Sequence, residues 1–158
     1  MTQFTHLDEA GHARMVDVTE KQPTVRSATA SGLVACPPAV VAALRSGDVP
    51  KGDVLAVARI AGIAGAKRTA ELLPLAHVIG VHGAVVDLDV VDEGVRIVAT
   101  VRTADRTGVE MEALTAVSVA ALAVVDMVKG LDKSVRIADV RLEAKTGGKS
   151  GSWQREDA

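Results

Sequence analysis

An aspartate, two glutamates and a lysine are set into an otherwise apolar run, TGVEMEALTAVSVAALAVVDMVKG, over residues 107–130. A helix that is hydrophobic nearly all round is a buried one, and an ionisable group taken out of water is costly unless it is paired or used. At about 100° per residue from Glu112, Asp126 falls at roughly 320° and Lys129 at roughly 260°, so the three share one side of the helix. Two readings stand side by side. In the first, Asp126 and Lys129 form an i,i+3 ion pair at the helix end, where a cation also suits the macrodipole. In the second, they are an acid and a cation held ready in a cleft. Glu112 and Asp126 are about 21 Å apart along the helix axis, so one chain cannot bring both to a single small reacting centre. A site that uses both needs a long ligand or two subunits.

Other residues carry weaker signals. His77, in ELLPLAHVIG, sits where a helix gives way to a strand, and an imidazole there either bonds to backbone or shuttles a proton. Lys51 in a Pro-Lys-Gly loop and the pair Lys67 and Arg68 are solvated cations or anion contacts. KTGGKSG at residues 145–151 has the glycines and lysines of a phosphate loop but is no Walker A, because Glu143 stands where that motif needs glycine. It reads as a flexible tail or a less regular phosphate-binding segment. No metal site is expected: His77 and His82 diverge across a strand start, and His6 and His12 belong to the N-terminal arm.

Composition bounds the function. The 158 residues are 48% hydrophobic and 24% charged, which suits one domain with a real core. One Phe, one Trp and no Tyr leave few stacking platforms, and a net charge of −2 gives no basic field, so nucleic acid is not an expected partner. The single Cys36 excludes an internal disulfide and any multi-cysteine metal site. No apolar run of spanning length and no signal-peptide pattern in residues 1–20 are recognised, so no membrane partner is expected and the chain is expected in the cytoplasm.

The elements that must hold these residues follow in order. Residues 1–22 form a polar arm in which MVDV at 15–18 could add an edge strand. TVRSATASGLVAC at 24–36 reads as a strand stopped by Pro37 and Pro38, after which a helix runs over 38–45. A second helix is expected over 53–72 with Asp53 as its N-cap. On it Ala58, Gly62, Ala66 and Ala70 recur every four residues, a face that asks for a closely packed partner. A hairpin over 78–101 turns at Asp92, Glu93 and Gly94. The long helix over 109–129 precedes a strand over 134–144, whose apolar parity slips between Ile137 and Val140 as at a bulge. This order is the split βαβ of an α+β, ferredoxin-like fold: an antiparallel sheet with helices on one face, in a domain over 23–145 with a flexible tail over 146–158. Val86, Val98 and Val140 suggest that the other sheet face is not uniformly polar, so a homo-oligomer is expected.

Taken together, TGVEMEALTAVSVAALAVVDMVKG, KGDVLAVARIAGIAGAKRTAELLPLAH, EAKTGGKSG and the early MVDV resemble the MoaC family over residues 5–153. The resemblance implies a phosphorus-oxygen lyase of molybdenum cofactor biosynthesis, which rearranges 3′,8-cyclo-7,8-dihydroguanosine 5′-triphosphate to cyclic pyranopterin monophosphate with loss of pyrophosphate. It also implies a homohexamer of three dimers with sites between subunits, and no cofactor. By the same resemblance the catalytic aspartate falls on Asp126 and its lysine on Lys129. Substrate contacts fall on Leu75, Ala76, His77, Met111 and Glu112, with Glu110, Lys51 and Lys145 in the same pocket. The family usually reads PLCHP where this chain has Pro74, Leu75, Ala76, His77 and Val78, so a cysteine and a second proline are replaced. The alternative from another class is a non-catalytic oligomeric nucleotide- or pterin-binding module.

Overall fold

The computed structural model describes residues 6–156. Its elements are β1 (Thr24–Ala35), α1 (Pro38–Ser46), α2 (Val54–Lys67), α3 (Thr69–Leu72), β2 (Gly83–Val91), β3 (Gly94–Asp105), α4 (Glu110–Val128), β4 (Arg136–Thr146) and β5 (Trp153–Gln154). All strand pairs are antiparallel, in the order β2-β3-β1-β4-β5. The helices pack on one face, which makes this the expected α+β, ferredoxin-like arrangement.

The central strand β1 is built from small residues for a reason. Ala28, Ala30, Gly32 and Val34 point into the core, and a Cβ added at Gly32 would lie 2.6 Å from Val117 of α4. The helix can therefore lie almost on the sheet. On its other side α4 meets the small-residue face of α2, where a Cβ on Gly62 would lie 2.9 Å from the Ala116 carbonyl oxygen, and one on Gly65 would lie 2.8 Å from Val119. That is the close partner the four-residue spacing asks for. The apolar character of α4 follows from this position. By length and composition the 19-residue helix could cross a bilayer, contrary to the expectation of no such run, but it lies packed between α2 and the sheet.

Local chemistry sets the boundaries. Pro38 opens α1, and Gly47 closes it at φ 77°. Asp53 caps α2 by accepting from the Ala56 N–H at 3.0 Å. The single helix expected over 53–72 is broken at Arg68, because the Thr69 hydroxyl takes the Ala66 carbonyl that a continuing helix would offer to the Ala70 N–H. In the β2–β3 hairpin Gly94 has φ 143°, and a side chain there would strike the Val34 carbonyl oxygen at 1.9 Å.

Three expectations change. Val86 and Val140 face the helices: Val86 is buried beside Gly62, and Val140 pairs with the inward-facing Gly32. Only Val98 of the three lies on the open face, with Ser31, Leu33 and Arg96. The parity slip is a bulge, with Ala138 unpaired between the Leu33–Asp139 and Val34–Ile137 pairs, and a second irregularity leaves Glu143 unpaired, where its carboxylate accepts from the Ser31 hydroxyl. The segment read as a tail includes β5, held to β4 by ladder pairing and by the Arg155 side chain donating to the Leu142 carbonyl at 2.7 Å. Residues 15–18, read as a possible edge strand, form none.

The close contact of α2 and α4 predicts that Gly62→Val, which has no space to fill, destabilises the fold by about 1–3 kcal/mol or more through overpacking. The midpoint of urea unfolding measures it.

Candidate active site

The polar residues of α4 end up in two separate places. At its first turn, a cavity of about 320 Å³ lies between Leu75, Ala76 and His77 on one side, Glu110, Met111 and Glu112 on the other, and the arm residues Val16 and Val18 across the mouth. In the extended segment 78–82 that leads from His77 toward β2, Ile79 and Val81 pack part-buried against the core, and Val78 is 90% exposed. His77 Nε2 lies 2.6 Å from the Val16 carbonyl oxygen. A carbonyl only accepts, so this nitrogen carries a proton and is the donor.

Glu112 is the buried acid of this cavity, at 4% exposure. Burial pushes its carboxyl pKa up, the neighbouring Glu110 adds to the rise, and His77 opposes it. Such a group exchanges protons nearer to neutrality than an exposed glutamate does. Leu75 and Met111 remain partly exposed, so the wall they make is apolar and open.

At the far end of α4 lies the second cluster. Lys129 Nζ donates to Asp126 Oδ1 at 2.6 Å, and Lys51 Nζ donates to Asp126 Oδ2 at 3.1 Å and to the Asp126 carbonyl oxygen at 2.8 Å. Hydrogen bonds from Lys129 and then Lys51 hold the Asp126 carboxyl below the usual carboxylate range. Lys51 reaches it from a turn anchored by the buried Val49 and closed by Gly52 at φ 99°. The expectation that Asp126 and Lys129 are buried is corrected here, because both side chains are 57% exposed. Asp126 and Lys129 lie on the solvent side of the last turn, while Met127 and Val128 occupy its buried side. An exposed pair of this kind adds little to stability. The closing-pair geometry is present, and the buried-cleft geometry is absent within one chain.

Lys145 belongs to neither cluster. It pairs in register with Ala28, near the end of the sheet where Thr24 faces Asp105 and β3 hands the chain on to α4, so it lies toward the Glu112 end. Its ammonium donates to the Gly147 carbonyl at 3.4 Å and to the Ser150 hydroxyl. The GG turn it contacts has both glycines at positive φ and lies against Arg26. Among the described residues no group of three or more His, Cys, Asp or Glu side chains is gathered as metal ligands would be.

The structure thus unites Leu75, Ala76, His77, Glu110, Met111 and Glu112, and separately Lys51, Asp126 and Lys129. The arm residues Val16, Val18 and Lys21, which line the first cavity, were missed as site residues. Their signal was the apolar alternation of MVDV, which also fits an edge strand.

Known proteins match almost the whole chain. The profile described as "MoaC family" matches residues 15–148. The chain is 65% identical over 153 residues to the cyclic pyranopterin monophosphate synthase of Streptomyces coelicolor, covering 97% of this chain and 90% of that one. It is 56% identical over 155 residues to the protein of the same name from Chloroflexus aurantiacus, covering 97% and 95%. For the Geobacter sulfurreducens protein, also of that name, identity is 54% over 157 residues, covering 98% of both.

The buried carboxyl of Glu112 makes stability depend on pH in a definite sense. Its raised pKa means that the protonated form is favoured in the fold, so its contribution is fully present below the unfolded pKa and is lost as pH rises through the folded value. Glu112→Gln should therefore melt above the parent at about pH 8, with the gap closing toward about pH 4, in thermal unfolding followed by circular dichroism.

Proposed function

This chain belongs to the MoaC family, and on that premise we propose that it converts 3′,8-cyclo-7,8-dihydroguanosine 5′-triphosphate to cyclic pyranopterin monophosphate with release of pyrophosphate, acting in the cytoplasm in molybdenum cofactor biosynthesis. The observation that carries the reading is the division of the family's functional positions into two halves at opposite ends of one rigid helix. One half is a cavity with a buried, protonatable acid. The other is a carboxylate held between two ammonium groups.

Each half suits a part of the chemistry. Opening the guanine-derived ring and reclosing it as a pterin needs protons delivered and removed at fixed positions. Asp126, kept ionised by Lys129 and Lys51, accepts a proton, and the Lys129 ammonium beside it donates one. The cyclic phosphate forms when a sugar hydroxyl oxygen attacks the α-phosphorus and the bond to the β-phosphate breaks. The hydroxyl proton passes to a base, and pyrophosphate leaves with the electron pair. Lys51, Lys129 and Lys145 supply cations for the triphosphate and for the charge on that leaving group. Leu75, Ala76, His77, Glu110, Met111 and Glu112 hold and orient the ring system. Ala76 offers no thiol, so the segment contributes backbone groups and the His77 imidazole.

The two halves come together between subunits. About 21 Å of helix separates Glu112 from Asp126, so the acid and lysines of one subunit face the cavity of its neighbour in a homohexamer of three dimers. The exposure of Asp126, Lys129 and Lys51 supports this, as do the exposed apolar side chains Ile60 and Leu122 on the outer faces of α2 and α4.

Purified protein given the cyclic dihydro-GTP should release pyrophosphate and a pterin product in equal amounts. Binding of the nucleotide with no product would instead favour the non-catalytic binding module. Asp126→Asn should keep assembly, melting temperature and substrate binding while turnover falls by at least about 10²-fold. His77→Ala and Asp126→Asn proteins, each impaired alone, should regain part of the activity when dissociated and reassembled together, because mixed assemblies contain sites with both halves intact. Absence of any recovery in verified mixed assemblies would place each site within one chain.

A further inference from the structure

Gly80 is gripped by both of its backbone polar groups. The Thr103 hydroxyl, on a residue only 2% exposed, donates to the Gly80 carbonyl oxygen at 2.6 Å. The Gly80 N–H donates to Asp105 Oδ2 at 3.3 Å. The other oxygen of that carboxylate accepts from the Arg106 N–H at 2.7 Å. Both grips on Gly80 come from the end of β3, and the Asp105 carboxylate also bonds the N–H of the residue that follows it. Gly80 lies just beyond His77 in the stretch before β2, and Arg106 opens the stretch that delivers Glu110 and Glu112. One carboxylate joins the two walls of the cavity without lining it.

The first wall is otherwise tied by the His77 bond to the Val16 carbonyl and by packing just beyond it. Over residues 78–82 no strand is formed, and the His82 N–H donates to the Arg102 carbonyl at 3.0 Å. Ile79 and Val81 are part-buried against the core while Val78 is almost fully exposed, so burial anchors alternate side chains and hydrogen bonds set the rest of the path. The turn is also tight: the Ala104 N–H donates to His82 Nδ1 at 3.2 Å, and a Cβ on Gly80 would meet the same imidazole at 3.0 Å. The clasp extends outward, since Arg26 donates to the Asp105 and Arg106 carbonyls and Arg106 donates to the Lys21 carbonyl of the arm at 2.9 Å.

We infer that Thr103 and Asp105 are positioning residues, a clasp on Gly80 that fixes residues 75–77 against the first turn of α4 and thereby sets the affinity of the cavity for substrate. The inference rests on the reading of residues 75–77 and 110–112 as substrate contacts. Backbone amide bonds from Arg106 and Gly80 also keep the Asp105 carboxyl below its usual pKa, so the acceptor stays ionised through neutral pH.

The test separates positioning from mere stability. Thr103→Val removes the hydroxyl at nearly constant volume, Thr103→Ser retains it, and Asp105→Asn leaves one of the two acceptor oxygens. For the cyclic dihydro-GTP, Thr103→Val and Asp105→Asn should raise KM roughly tenfold with kcat within about twofold of the parent, and Thr103→Ser should restore KM. Amide hydrogen exchange over residues 75–82 should quicken in the Val and Asn proteins and not in the Ser protein, with β1 and α4 unchanged. Unchanged KM in folded Val and Asn proteins, or faster exchange spread over the whole sheet, overturns the inference. A parent protein that makes no product overturns the assigned reaction instead. The exchange comparison, which needs no substrate, then decides on the clasp alone.

Discussion

Everything in this structure depends on how closely α4 approaches its neighbours. Side-chain volume is removed on both sides of the helix, at Gly32 in the sheet and at Gly62 and Gly65 in α2, and each of these positions would put a Cβ within 3 Å of an α4 atom. Dense packing of this kind has low compressibility, so the helix behaves as a rod with a fixed azimuth. That azimuth decides which of its polar residues meets water. Glu112 is turned toward the loops and arm and loses its solvent, whereas Asp126 and Lys129 lie on the solvent side of the last turn and keep it.

Opposite electrostatic states result from this one placement. At one end, desolvation dominates and a carboxyl group is pushed toward its neutral form. At the other, two ammonium groups at hydrogen-bond distance dominate and a carboxylate is held ionised. Two acids on one helix with pKa values driven apart are the usual means by which proton donation and proton acceptance coexist at one pH. Geometry drives the two values apart, since the same residue type in either environment would follow the environment.

Much of the architecture was legible in the residues. Proline and glycine marked α1, the Asp53 cap marked α2, the Asp92–Glu93 turn marked the hairpin, and the parity slip marked the bulge at Ala138. The misjudged features share a cause: a periodicity gives a direction on an element but not what lies in that direction. The helical stripe correctly grouped Glu112, Asp126 and Lys129, yet could not say that only the first is covered. Alternation in β2 separated Val86 and Leu88 from Asp87 and Asp89, but which set faces the helices depends on pairing to β3. The return of Trp153 to the edge of β4 was hidden by the polar, glycine-rich stretch before it, and the aromatic ring beneath Arg155 was its only trace. The grouping of Leu75, Ala76 and His77 with Glu110, Met111 and Glu112 came from family resemblance, because no local pattern connects a loop to a helix start some thirty residues on.

The contact between His77 and the arm has a consequence for how this site can vary. The imidazole donates to the main-chain oxygen of Val16 and not to any side chain, so the identity of residue 16 is nearly irrelevant to the bond. Substitutions there leave the acceptor in place, and only a change in the path of the backbone removes it. A proton held this way is invisible to any comparison of side chains. Shortening or lengthening the arm between Val16 and the start of β1 by one residue would shift the carbonyl out of reach. For this histidine, chain length carries the functional information that residue type ordinarily carries.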